Sequence, residues 1–170
     1  MKKSHKIIFI ISILLLAISW GVAISSWSRL PSIIPIHFGI TGQPDGWAGK
    51  SVFYVFLLPV IQTLILLLLG FLYYKPQYSD IPTTMWLNII DKKHRDHAFG
   101  LIRSMMVGIV LWVSLLMTYM SYGMNNAAIS KQNLSPIILT LLVVCLVVWI
   151  VYWTIRVYQD TKKAIRSIKR

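Results

Sequence analysis

Leu30-Pro31-Ser32-Ile33-Ile34-Pro35-Ile36-His37-Phe38-Gly39-Ile40-Thr41-Gly42-Gln43-Pro44-Asp45-Gly46-Trp47-Ala48-Gly49-Lys50 is a short stretch rich in proline and glycine, set between two long apolar runs. It carries one imidazole and one carboxylate. The flanking runs, Ile7 to about Ile24 and about Val52 to Tyr74, are each long enough to cross about 30 Å of hydrocarbon as a helix. Two further runs, about Leu101 to Tyr122 and about Ile137 to Ile155, are long enough as well. Hydrocarbon offers no partner to an unpaired backbone group, so all four runs are expected to be helical. The expected fold is therefore an all-α integral membrane protein, a bundle of four transmembrane helices with an ordered loop between the first and the second. Spans and short connections use up residues 1–170, which leaves a single membrane domain.

Composition agrees. The chain is 56% hydrophobic and only 13% charged, whereas soluble domains carry about 25% charged residues. Its formal net charge is +12, with Asp45, Asp80, Asp91, Asp96 and Asp160 as the only acidic residues. In a soluble protein that excess would suggest nucleic acid. Here the charge flanks apolar spans, so the expected partner is a bilayer with anionic headgroups and not nucleic acid. Cys145 is the only cysteine, so no intrachain disulfide is possible. It lies within an apolar run and reads as a small hydrophobe.

Lysine and arginine set the orientation. Lys2, Lys3 and Lys6 precede the first span. Lys75, Lys92, Lys93, Arg95 and Arg103 lie between or beside the second and third spans. Arg156, Lys162, Lys163, Arg166, Lys169 and Arg170 follow the fourth. The other side holds Arg29, Lys50 and Lys131, giving fourteen cations against three among the 17 in the chain. The bias predicts both termini in the cytoplasm and the Leu30–Lys50 loop outside the cell. The first run is too long for a typical signal-peptide core and has no clear cleavage site after it, so it reads as an uncleaved anchor.

The inner connection runs from Lys75 to Gly100. Thr83 or Thr84 could cap a short interfacial helix through Met85, Trp86, Leu87, Ile89 and Ile90. Beyond it, Asp91, His94, Asp96 and His97 have helical spacing that a metal would accept. Their neighbours Lys92, Lys93 and Arg95 oppose a cation, so this segment reads as headgroup-facing.

In the outer loop, Pro31 and Pro35 push their preceding residues toward extended geometry. Pro44-Asp45-Gly46 is expected to form a turn. Trp20, Trp27 and Trp47 suit a membrane interface, and Phe38 could dip back between the helix ends. His37 and Asp45 are the only imidazole and carboxylate on the outer side. A turn could pair them. Alternatively Asp45 caps the turn and His37 bonds to the backbone. Two ligands do not close a zinc site, so no metal is expected, nor any cofactor or catalytic residue.

Within the spans, Ala17, Gly21 and Ser25 recur every four residues, as do Gly100, Ser104 and Gly108. Each set offers a flat strip for close helix approach, expected to pack the first span on the third, or to form a seam between copies of the chain. Pro59 kinks the second span and frees a carbonyl one turn earlier. Gln62 is the one amide side chain deep in a span, expected to bond across the bundle or to line a small polar cavity. No Asp or Glu lies in any span, which weighs against a proton-coupled transporter. The candidate binding residues are His37, Phe38, Pro44, Asp45, Gly46, Trp47, Lys50 and Gln62.

The pattern Leu-Pro-x-x-Ile-Pro-x-His-Phe-x-x-x-Gly-x-Pro-Asp-Gly-Trp-x-x-Lys, from Leu30 to Lys50, resembles that of a bacterial membrane domain of unknown function found at the N-terminus of SdpI-type immunity proteins. The resemblance covers about residues 14–60. It implies a multi-pass protein of the bacterial plasma membrane. SdpI-type members protect the producing cell from a secreted killing peptide, and they can hold a cytoplasmic repressor at the membrane. The chain departs from them in having four spans where the full immunity protein has more.

The expected function is non-enzymatic: the outer loop recognises a peptide, a lipid headgroup or a partner, with toxin immunity as its named form. Two alternatives stand beside it. One is a membrane-embedded enzyme or carrier using His37 and Asp45 with Gln62 below. The other is a signalling scaffold that holds a cytoplasmic regulator through the basic tail from Arg156 to Arg170.

Overall fold

A computed structural model describes residues 2–78 and 92–168. The expected interfacial helix around Thr83–Ile90, and Asp91, lie outside the described residues, as does the side chain of His94. Among the described residues there are four long helices: α1 (Lys3–Ser26), α2 (Val52–Tyr74), α3 (Lys92–Ser130) and α4 (Pro136–Ile168). All four are long and apolar enough to cross a membrane. A single 3₁₀ turn, Pro76–Tyr78, follows α2.

The segment between α1 and α2 is a β-hairpin. Strands β1 (Ile33–Phe38) and β2 (Pro44–Gly49) pair antiparallel. Periodicity gives no strand signal here, because β2 reads Pro-Asp-Gly-Trp-Ala-Gly. Pro44 takes the first position of its strand, and both strands are edges, so neither proline removes a needed ladder bond.

Helix α3 is the centre of the assembly, packed against α1, α2 and α4, while α4 packs chiefly on α3. At the hairpin end the core comprises Ala23, Leu30, Ile34 and Val55, with Trp27, Tyr54 and Phe56 packed around them. At the end where the chain termini lie, Ala98, Ile102 and Met106 of α3 meet Val157 and Ala164 of α4.

The inward face of α1 is unusual in being polar. Its buried residues are His5, Ser12, Ser19, Ala23 and Ser26. Four of them are spaced by seven, which keeps them facing one neighbour along the whole helix. The isoleucines and leucines of α1, such as Ile10, Leu14 and Ile18, point outward. Small hydroxyls inside and large aliphatics outside is the arrangement of a helix whose solvent is hydrocarbon.

The expected Ala17, Gly21 and Ser25 strip is not the packing face. All three are exposed. A four-residue step turns by about 400°, so such a strip drifts about 40° per step around the helix. The seven-residue serine row drifts by only about 20° per step and keeps its neighbour. Of the second strip, Gly108 faces α4 instead of α1. A Cβ there would lie 2.0 Å from the Trp149 ring, whose Nε1 donates to the Met105 carbonyl at 3.1 Å.

Proline at position 59 leaves the Val55 carbonyl without its helical donor. Thr63 donates to the Pro59 carbonyl at 2.7 Å and accepts from Trp20 Nε1 at 3.2 Å, which ties α2 to α1 one turn beyond the proline.

Candidate functional site

The hairpin is held as a rigid platform. Ile34 plugs into the core with no exposed surface. At the base, Lys50 N donates to the Ser32 carbonyl at 2.8 Å. Lys50 Nζ reaches the carbonyls of Trp27 and Leu30 at 3.3 and 3.1 Å and sits 5.2 Å from the Trp27 ring centroid. These carbonyls lie at the C-terminus of α1, where a cation is favoured by both the unpaired acceptors and the helix dipole. At the tip, Leu134 N donates to the Gly42 carbonyl at 3.0 Å.

The turn is not where the sequence suggested. It spans Gly39 to Gln43, closed by Gly39 N to the Gln43 carbonyl at 2.9 Å, with Gly42 at φ +77°. Pro44, Asp45 and Gly46 belong to β2. The proline and aspartate that signal a turn are here the start of a strand and a bulge. Register explains this: His37 pairs with Gly46 and Phe38 with Pro44, so Asp45 is an extra residue on β2, and Ile36 is an extra one on β1. A bulge re-aims a side chain, and here it delivers the Asp45 carboxylate to His37.

His37 Nδ1 lies 2.5 Å from Asp45 Oδ1. Of the two arrangements the sequence left open, the structure has the paired one, made by a bulge rather than a turn, and Asp45 does not cap a turn. Both side chains are open to solvent, 72% exposed for His37 and 52% for Asp45. Two glycines make room. A Cβ on Gly46 would lie 2.8 Å from His37 Cβ, and one on Gly39 would lie 3.1 Å from Asp45 Oδ2. A carboxylate on Nδ1 fixes the orientation of the ring and leaves Nε2 as the group for a ligand. Among the described residues, no group of three or more His, Cys, Asp or Glu could hold a metal ion.

Beside this pair, a groove of about 420 Å³ runs between the hairpin and the end of α3. Pro31, Ile33, Pro44 and Trp47 form one wall, with Lys131 and Asn133 opposite. Trp47 is 55% exposed. Lys131 adopts φ 54° just past the last turn of α3, the left-handed conformation that commonly ends a helix. Ala127, Lys131 and Asn133 were not singled out by sequence reasoning, since nothing local shows that the connection after α3 meets the hairpin. A second, more polar pocket of about 240 Å³ opens between α1 and α3, lined by Ser25, Arg29, Tyr122, Asn125 and Asn126 among others.

The other candidates are dispersed. Phe38 is half-buried. Gln62 is fully buried in mid-bundle, away from the hairpin, where its Nε2 donates to Thr118 Oγ1 at 3.4 Å. Thr118 in turn donates to the Leu15 carbonyl at 3.1 Å, so one hydroxyl joins three helices. Gln62 Oε1, Ser19 Oγ and Ser121 Oγ are buried along the same seam with no partner among the described residues. Nearer the hairpin, Ser26 Oγ lies 2.6 Å from Asn125 Oδ1. At the terminal end, His97 Nε2 faces Asp160 Oδ1 of α4 at 3.5 Å, across helices and not within the expected Asp91–His97 cluster.

No curated protein and no solved structure matches the chain. A family model does match residues 14–63, and it is described as a domain of unknown function, DUF1648. The matched span holds the later part of α1, the whole hairpin and the first half of α2, so it covers the positions of His37 and Asp45.

Proposed function

We propose that this chain is a multi-pass protein of the bacterial plasma membrane whose hairpin is a recognition element on the outer face, shaped for a peptide. The observation that carries the reading is the exposed His37–Asp45 pair, held on a rigid platform beside the groove under Trp47. Both side chains are open to solvent, and a pair so exposed contributes little to stability, which leaves it accessible to a ligand. The groove offers apolar walls for side chains, with a lysine and amides opposite for peptide carbonyls and carboxylates. The oriented Nε2 of His37 adds one directional polar contact on the same hairpin.

The outer placement rests on the fourteen-to-three distribution of Lys and Arg, which favours both termini in the cytoplasm. The likeness of the Leu30–Lys50 pattern to the N-terminal domain of SdpI-type immunity proteins makes protection against a secreted killing peptide the specific form of the proposal. In this reading the protein binds and does no covalent chemistry.

The test is survival. A sensitive bacterium expressing the chain is challenged with a panel of secreted membrane-active peptides, beside Asp45→Asn and Trp47→Ala at equal membrane levels. Protection by the wild type against at least one peptide, lost in both variants, supports the reading. Equal protection by wild type and variants, or none against any peptide, defeats it.

A further inference from the structure

At the opposite end of the bundle a cavity of about 360 Å³ is lined by Lys2, His5, Tyr73, Tyr74, Gly100 and Arg103. It draws on α1, α2 and α3 at once. Among the described residues, its lining holds two permanent cations, an imidazole and two phenols, and no carboxylate. Such a set is suited to an oxyanion.

The lining is braced from within. His5 is buried and uses both ring nitrogens: Nδ1 lies 3.0 Å from the Tyr73 hydroxyl and Nε2 3.4 Å from Ser104 Oγ. Arg103 Nε donates to the Tyr73 carbonyl at 3.0 Å. That bond fixes the guanidinium plane and leaves the four N–H donors of its Nη groups, from which nothing among the described residues accepts. A planar pair of donors of this kind matches two oxygens of a phosphate.

The surroundings are those of a lipid. Tyr74 stands at the mouth, and Phe71 and Leu67 continue its face along α2; all three are exposed, large and apolar. A molecule with its phosphate among Lys2 and Arg103 would lay a hydrocarbon chain along this stripe. Basic pockets between transmembrane helices are established headgroup sites in membrane proteins generally.

We propose that this cavity binds the phosphate of an anionic phospholipid. The site is separate from the hairpin and does not depend on the reading of it.

Gly100 supplies a variant that fills the cavity without disturbing the fold. A Cβ at Gly100 would meet no described residue within 4 Å, so Gly100→Leu extends into the cavity and also removes a glycine from a helix interior. The full-length protein in neutral detergent is heated with phosphatidylglycerol, phosphatidylcholine or glycerol 3-phosphate, and the shift in unfolding temperature is followed against concentration. Wild type should be stabilised by phosphatidylglycerol and not by phosphatidylcholine. Arg103→Gln should weaken the apparent affinity about fivefold, and Gly100→Leu should abolish the shift. The double variant Lys3→Gln/Lys6→Gln removes two exposed cations from outside the cavity and should respond as wild type does. The proposal is overturned if phosphatidylcholine acts equally, if Gly100→Leu keeps the full shift, or if the Lys3/Lys6 control loses as much as Arg103→Gln. A full shift from glycerol 3-phosphate at matched concentration would assign the site to a soluble phosphate and overturn the lipid assignment.

Discussion

The backbone amide of Leu134 donates to the carbonyl of Gly42 at 3.0 Å, so the tip of the hairpin is fastened to the connection between α3 and α4. Residues 92 apart in sequence thus share the rim of one surface. Gly42 is suited to this contact twice over: it holds φ +77°, and a Cβ there would lie 1.9 Å from the Leu134 carbonyl oxygen. Gly42→Ala should therefore detach the tip, at a cost of about 1–3 kcal/mol. Hydrogen exchange is the direct check, with the Leu134 amide losing protection while amides in mid-α3 keep theirs. Unchanged protection at Leu134 would mean that the turn tolerates the side chain.

The His37–Asp45 contact should contribute little to stability. Both groups are more than half exposed, and ion pairs of that kind are worth at most about 1 kcal/mol. Asp45→Asn and His37→Ala should each unfold within a few degrees of wild type in detergent, yet abolish peptide protection. Gly46→Ala should abolish protection too, by pushing the ring away from the carboxylate. Large losses of thermal stability in Asp45→Asn would make the pair a clasp.

Mid-bundle, the Thr118 hydroxyl serves both Gln62 Nε2 and the Leu15 carbonyl, whereas Gln62 Oε1 is buried with no partner among the described residues. The two residues should differ in mutational cost. Thr118→Val should cost about 1 kcal/mol, typical of the larger interhelical hydrogen bonds in membranes. Gln62→Leu should be neutral or mildly stabilising, since it removes an orphaned oxygen along with a long hydrogen bond. Reversible unfolding in mixed micelles would measure both, and a larger loss for Gln62→Leu would mean that Oε1 is satisfied inside the bundle, as by a buried water.

Orientation can be read by labelling. In a Cys145→Ala background, cysteine at Thr41, in the exposed hairpin turn, should react with an impermeant thiol reagent on intact cells. Cysteine at Lys163, exposed on α4, should react only after lysis. The reverse pattern would place the hairpin in the cytoplasm and remove the basis for extracellular recognition.

The spans were legible because a long apolar run in lipid has one outcome, and α2 begins and ends at the residues its apolar run marks. Helix ends were less so. Helix α3 extends from Lys92 to Ser130, well past the run from Leu101 to Tyr122, because apolarity marks contact with hydrocarbon while the helix continues through Lys92–Gly100 and Gly123–Ser130. The hairpin was hidden for a different reason. Its second strand is made of turn-forming residues, and pairing with β1, together with docking of Ile34, overrides their local preference. The proximity of His37 and Asp45 was one of two arrangements left open by their separation within one loop, and the bulge that produces it had no local signal. The groove was not, because half of it comes from the far side of α3.

The serine row on α1 bears on how the chain enters the bilayer. Ser12 Oγ donates to the Ile8 carbonyl at 3.0 Å, and Ser26 Oγ lies 2.6 Å from the Val22 carbonyl as well as from Asn125 Oδ1. Hydroxyls that can turn back on their own helix do not need a partner during insertion. Helix α1 can thus leave the translocation machinery alone, with Ser12 and Ser26 internally satisfied, and Ser26 can trade its bond for Asn125 when α3 arrives. Assembly becomes, at Ser26, an exchange of acceptors made when the third helix has been synthesised.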